Sequence, residues 1–219
     1  MQENVLRNEL IRLRSLADLV DIYDLIRVDS NEERLRGVDG IYLFGETSDN
    51  EEASFISARK LLDKGLTKCV LIDDMPEQNG FPGFSPWSER LLNDYGISPQ
   101  ALEIDTSKGY HTLAEAESLV RYFSKENLNS SYIVASQFHL LRAFMTSSSV
   151  VIRENPELNF FACPGAEQDW NEVVMHSQGT TFGRRIDLIR GEVERIQKYT
   201  IKGDIESTKR ILDYMVNRK

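Results

Sequence analysis

Ser136, His139 and Arg142 lie in the stretch Ser131 to Ala143, SYIVASQFHLLRA, where a short apolar run ends in a serine and a helical pattern begins. In a parallel α/β protein such a junction falls at the carboxyl edge of the sheet, where ligands bind. The helix start adds unpaired N–H groups and a partial positive charge. A hydroxyl, an imidazole and a guanidinium gathered there would suit an anionic or strongly polar ligand. The same residues also have structural uses. Ser136 is a good N-cap, and His139 and Arg142, three apart on one helix face, could bond sheet-end carbonyls or an acidic loop.

A parallel sheet must exist for that junction to matter. Five short runs read as strands: Gly40 to Gly45, Cys69 to Asp73, Ala101 to Asp105, Ser131 to Ser136 and Leu158 to Cys163. They recur about every thirty residues with helical patterns between them, the rhythm of right-handed βαβ units and a Rossmann-like three-layer α/β fold. Ser48-Asp49-Asn50-Glu51 reads as a capping box, with Gly65 closing the helix that follows. Ser85-Pro86 opens the next helix, with Leu91 and Leu92 inward and Gly96 as its stop; Thr112-Leu113-Ala114-Glu115 reads as a second capping box. The irregular stretch Met75 to Pro86 is long enough to serve as a flap over the sheet edge or as a structural loop.

One domain is expected, with a helical segment over 1–37, a Rossmann-like core over 38–165 and a helical extension over 166–219. The amino-terminal helix, Val5 to about Ile26, aligns Leu6, Leu10, Leu13, Leu16, Leu19 and Val20, a stripe for the sheet or for a partner. Two helices, Arg184 to about Lys198 and Ile205 to about Val216, close the chain. The run Arg184, Arg185, Asp187, Arg190, Glu192, Glu194, Arg195 reads as a solvated helix face.

With the sheet in place, acidic and hydroxyl side chains collect at its carboxyl ends: Gly45-Glu46-Thr47, Asp73-Asp74, Asp105 and Ser136. Asp73 or Asp74, after the second strand, stands where many Rossmann proteins hold ribose hydroxyls. The first turn, GETSDN, is not GxGxxG, which argues against a dinucleotide. Alternatively Asp73, Asp74, Asp105 and Glu46 could supply hard oxygen ligands to Mg²⁺ in phosphoryl or nucleotidyl transfer, or simply cap helices and loops. Ser136 with His139 forms no GxSxG elbow, so a serine nucleophile is disfavoured.

Composition narrows the partners. A formal net charge of −9 leaves no basic surplus to replace counterions along nucleic acid. No stretch approaches a bilayer span, and MQENVLRNEL lacks the apolar core of a signal peptide, so a cytoplasmic protein is expected. Cys69 and Cys163, without CxxC spacing, read as buried reduced thiols, and the three histidines form no HExxH, so no resident metal is expected.

These motifs, taken in order, resemble the ElyC/SanA/YdcF family, a bacterial domain of unknown function. The likeness runs from Asp39 to Gly45, through Ala58 to Gly65, Glu89 with Leu91, Leu92 and Gly96-Ile97, Glu103 through Thr112, and Glu115-Ala116, to Ser136-Gln137-Phe138-His139-Leu140-Leu141-Arg142-Ala143. That last piece is similar to the family's Ser-x-Tyr/Phe-His-x-x-Arg-Ala. A looser likeness to the soluble YdcF branch extends to Gly191–Arg195. The chain departs from the family at Ile72-Asp73-Asp74, where Ser-Gly-Gly is usual, and at His111-Thr112, where Asn-Thr is usual. The resemblance implies S-adenosylmethionine or another adenosine-containing molecule as the ligand, and adds Glu89, Thr112 and Glu115 to the candidate ligand residues. The leading expectation is therefore a small-molecule binder, with Asp73 or Asp74 on ribose, Gly45 permitting close approach, and Ser136, His139 and Arg142 at the charged end. Mg²⁺-dependent transfer is the catalytic alternative. A scaffold that oligomerises or binds partners through its terminal helices is the third.

Overall fold

The computed structural model describes residues 5–12, 17–78, 80–105, 107, 109–176 and 181–218. Strand β1 (Gly40–Leu43) is buried at every position and sits at the centre of a five-stranded parallel sheet. On one side it pairs with β2 (Val70–Asp73), which pairs with β3 (Gln100–Leu102). On the other it pairs with β4 (Ser130–Ala135), which pairs with β5 (Asn159–Pro164). The order β3-β2-β1-β4-β5 makes the fold Rossmann-like and puts the topological switch point between β1 and β4.

The crossovers supply the outer layers. Helices α3 (Glu51–Asp63) and α4 (Phe84–Tyr95) pack together, as do α5 (Thr112–Lys125) and α6 (Gln137–Glu154). Right-handed crossovers that run outward in opposite directions from β1 place these two pairs on opposite faces. Gly65 and Gly96 end α3 and α4 in left-handed backbone, as the sequence predicts, where glycine carries no Cβ penalty. Helix α6 is buried from Phe138 to Val151, because α7 (Arg185–Lys202) and α8 (Thr208–Asn217) cover the side turned away from the sheet. Three of its interior hydroxyls bond back within the helix, Thr146 donating to Arg142 O at 2.8 Å, Ser147 to Ala143 O at 2.9 Å and Ser149 to Met145 O at 2.6 Å, while the buried Ser148 hydroxyl has no partner.

Several elements differ from the sequence expectation. The amino-terminal stripe is carried by α1 (Val5–Arg12) and α2 (Ala17–Asp29), with Leu13 and Leu16 outside the described residues. Leu6, Leu10 and Leu19 are buried within the chain, α1 against α7 and α2 against β5 and α8. Between the core and the last helices lies an antiparallel pair, β6 (Val173–His176) with β7 (Thr181–Arg184), where the sequence predicts only helix. Leu92 is 55% exposed while Leu91 is buried, so α4 presents a narrower stripe than two adjacent leucines suggest. Within the stretch Met75 to Pro86, Phe81 is buried edge-on against Trp87, and α4 already begins at Phe84. Both cysteines are free, Cys163 buried and Cys69 half-buried. No helix among the described residues is long and apolar enough to cross a membrane.

Candidate functional site

The loop after β1 and the first turns of α6 open on either side of the switch point. Between them lies a cavity of about 360 Å³ at the carboxyl edge of the sheet. Of the expected residues, Gly45, Glu46, Thr47, Thr112, Glu115, His139 and Arg142 line it. Phe81, Tyr110, His111, His176, Arg195 and Tyr199 complete it. A larger cavity, about 890 Å³, runs between α2, α3 and the end of β5. It lies to one side of the switch point, and its charged lining includes Lys60 and Glu32, which pair with each other on the surface.

One wall of the smaller cavity is a proton-sharing cluster. Asp73, at the end of β2, is buried and accepts hydrogen bonds from Tyr42 Oη and, at 2.6 Å, from Tyr110 Oη. Glu115 Oε1 accepts from Gly45 N at 2.9 Å. Burial pushes the Asp73 carboxyl up to about 6, against the hydrogen bonds from Tyr110 and Tyr42. Burial, and then the Asp73 charge, push the Glu115 carboxyl well above its usual value.

The expected capping boxes are not formed. His111 is the N-cap of α5, its Nδ1 accepting from Ala114 N at 3.2 Å. That frees Thr112 Oγ1 to accept from Arg142 and Glu115 to turn inward. Asn50 caps α3 without a side-chain cap bond, since its amide donates to Thr47 Oγ1 and Met175 O and accepts from Arg185. Glu51 then lies buried, bonded by Trp87 and Arg90.

The opposite wall is organised by Glu192 of α7, a residue expected on a solvated face and found 2% exposed. Its carboxylate accepts from Arg142 Nε at 2.5 Å, from Arg195 Nη1 at 2.7 Å and lies 2.7 Å from His176 Nε2 and 3.1 Å from His139 Nδ1. Burial alone would raise the Glu192 carboxyl. The Arg142 charge and the bonds from His139 and His176 outweigh it and hold the group well below its usual range. Burial and the Arg142 charge lower His139, so its imidazole is neutral at neutral pH. Arg185 of the same expected face is also buried, holding Asn50 and the Asp49 and Asp169 carbonyls.

The remaining expected residues stand elsewhere. Ser136 is the N-cap of α6, but its hydroxyl makes no cap bond and is buried without a partner; its N–H donates to Glu46 Oε1 at 2.8 Å. Asp73 is screened from the cavity by Tyr110, and Asp74, exposed, uses its N–H on Leu102 O. Exposed Asp105 accepts from Ser107 N, and Glu89 is exposed on α4; neither lines the cavity. Asp73, Asp74, Asp105 and Glu46 form no common oxygen cage: Asp73, Asp105 and Glu46 each turn the carboxylate to a different local donor, and Asp74 lies exposed. Gly45 does make room, yet the room is taken by Tyr110 Oη, which a Cβ there would strike.

Among the described residues, one set of three potential metal ligands converges: His139, His176 and Glu192, with ligand atoms within 4.8 Å of one another. Two guanidiniums already occupy that carboxylate, so a dication would meet like charge and displaced ion pairs. Tyr110, His176, Glu192, Arg195 and Tyr199 were not singled out for the site from the sequence. For Glu192 a signal existed: it falls on the stripe Leu188, Ile189, Val193, Ile196, where an acid must be buried. Comparison with known proteins adds no relative, since no protein-family profile and no curated protein sequence matches the chain.

Proposed function

We propose that the protein binds a small adenosyl-type molecule, S-adenosylmethionine or an adenosine nucleotide, in the crevice between β1 and β4, and that it is a YdcF-like member of the ElyC/SanA/YdcF family. The carrying observation is the coincidence of the switch point with convergent polar side chains and two stacked aromatic rings. Phe81 and Tyr110 lie 5.7 Å apart at 27°, and both line the cavity. About 360 Å³ lies near the low end of the roughly 300–1,000 Å³ of small-molecule sites, which suits one nucleoside and not a dinucleotide. The rings offer a face to a purine, while Thr47, Thr112, Glu46 and the Glu192-centred cluster offer polar contacts to the rest. A cytoplasmic setting belongs to the same proposal, supported by two cysteines kept as free thiols.

The Mg²⁺-dependent alternative loses its basis with the dispersed carboxylates. A partner-binding role loses much of its own, because α1 and α2 bury leucines of their stripe on this chain. The test is a thermal-shift and calorimetric titration with S-adenosylmethionine, S-adenosylhomocysteine, ATP and AMP, with and without Mg²⁺. A ligand that binds only the folded state raises stability with the logarithm of its saturation. Saturable binding without Mg²⁺ is expected; binding by none of the four, or only with Mg²⁺, would overturn the reading.

A further inference from the structure

Strand β5 is an outer strand of the sheet, and side chains cover the backbone groups it turns away from β4. Its odd-numbered residues face β4, with Asn159 N donating to Asn129 O and Gly165 N to Ala135 O, so its even-numbered residues face outward. Tyr214 Oη of α8 accepts from Phe160 N at 2.7 Å and donates to Leu158 O at 3.1 Å. Arg218, just past α8, donates to Phe160 O, and Asp29 at the end of α2 accepts from Ala162 N at 3.3 Å. Arg218 and Asp29 are joined in turn at 2.6 Å, their side chains 5% and 7% exposed. The covered segment, Leu158 to Cys163 (LNFFAC), carries no charge and has two adjacent phenylalanines. Left open, such an edge is a template for another strand. The cover is light: α8 is ten residues long and buries Ile211 and Met215 alone of its side chains. A free helix of that length does not hold in water, so α8 is an element that opens locally while the sheet stays folded.

The backbone groups so held, Leu158 O, Phe160 N, Phe160 O and Ala162 N, form a self-complementary set. Two copies of β5 set antiparallel about a twofold axis at Phe160 would pair Phe160 N of each with Phe160 O of the other, and Ala162 N of each with Leu158 O of the other. In that register Pro164 lies opposite Pro156, and neither has an N–H to leave unpaired. We propose that α8 is a clasp on the β5 edge: when α8 undocks, β5 pairs antiparallel with β5 of a second copy of this chain, and while α8 is docked that pairing is blocked. The occupant is a second copy and not an unrelated strand, because pairing about Phe160 consumes all four groups and asks for no other donor or acceptor. On opening, Asp29 loses Arg218, and its carboxylate, no longer neutralised, turns from Ala162 N to water. The inference does not depend on the crevice between β1 and β4.

The experiment is amide hydrogen–deuterium exchange read by mass spectrometry, with light scattering over a concentration series, in urea below the global transition. It compares the full wild-type chain with Arg218→Met and Tyr214→Phe. In Arg218→Met the amides of α8, and those of Phe160 and Ala162, should exchange about a hundredfold faster than in wild type while β1 and β4 stay protected; that factor is the lower end of what breaking a buried ion pair costs. A concentration-dependent dimer should accompany the opening. In the dimer the β5 peptide should regain protection at Phe160 and Ala162 with α8 still exchanging, a signature that association through another surface would not give. Tyr214→Phe removes one oxygen and should show the same pattern more weakly; it carries the test if β1 and β4 of Arg218→Met prove unprotected, as does the wild-type chain in urea. The inference is overturned if α8 exchanges only together with β1 and β4 in the wild-type chain, or if α8 opens and the chain stays monomeric at every concentration. A dimer whose β5 amides keep exchanging, or one in which α8 is protected again, as when helices are swapped between copies, overturns it equally.

Discussion

Replacing Glu192 by glutamine tests the organisation of the site's cationic wall. Glutamine keeps the shape but removes the charge that Arg142 and Arg195 share, and its amide group must point at one of the donors now facing Glu192. The Arg142 side chain is 10% exposed and the Glu192 side chain 3%, so the guanidinium left behind is a buried, uncompensated charge; Arg195, at 27%, regains solvent and counts for less. Breaking a buried pair by removing one partner costs about 3–5 kcal/mol. With an unfolding entropy of about 2.1 cal/mol/K per residue, the 219-residue chain would lose about 7–11 °C in Tm. Urea unfolding and thermal melts read both quantities. The sign with pH follows from a carboxyl held well below its unfolded value of 4.5: the wild-type advantage is full above that value and is lost as pH falls through the folded pKa. Adding Arg142→Met should recover part of the loss, because the orphaned charge goes with it. A cost under about 1 kcal/mol, or strictly additive single variants, would refute the picture of a carboxylate neutralised by buried guanidinium.

Glu115→Gln should gain stability relative to wild type as pH rises above the unfolded value of 4.5, because a carboxyl with a raised folded pKa loses stability above its unfolded value and glutamine cannot; a pH-independent difference in urea midpoints would contradict the raised pKa. Gly45→Ala should cost about 1–3 kcal/mol by driving its Cβ into Tyr110 Oη, with a smaller penalty in a Tyr110→Phe background; equal penalties in both, by thermal melts, would place Tyr110 elsewhere. Gly83→Ala should destabilise by a comparable amount, since φ is +93° and a Cβ would lie 2.6 Å from Glu77 N; unchanged unfolding would mean the turn into α4 is built differently.

The sheet is legible in the sequence because its central strands are buried on both faces and read as apolar runs, such as YIVA in β4, and because glycines mark the ends of α3 and α4. The pair β6 and β7 is not, since four-residue strands with Val173 and Phe182 exposed carry too little alternation to stand out beside a charged helix. The site is half legible. Ser136, His139 and Arg142 mark its edge of the sheet, but which atoms remain for a ligand depends on Glu192, some fifty residues later in the chain and hidden in a run of alternating charge. Glu115 repeats the lesson. It lies on the α5 stripe with Ala116, Leu119, Val120 and Phe123, and an acid on an apolar stripe is a better sign of a built site than an acid at a strand end. Asp74, Asp105 and Glu89 show the converse, lying exposed and outside the cavity lining.

The most direct measurement is a crystal structure of the full chain grown or soaked with S-adenosylmethionine, refined with both cavities open to interpretation. The adenosyl ligand is expected between the β1 loop and the start of α6, its purine against Phe81 and Tyr110. Ligand density in the groove between α2, α3 and the end of β5, with the switch-point crevice empty, would contradict it.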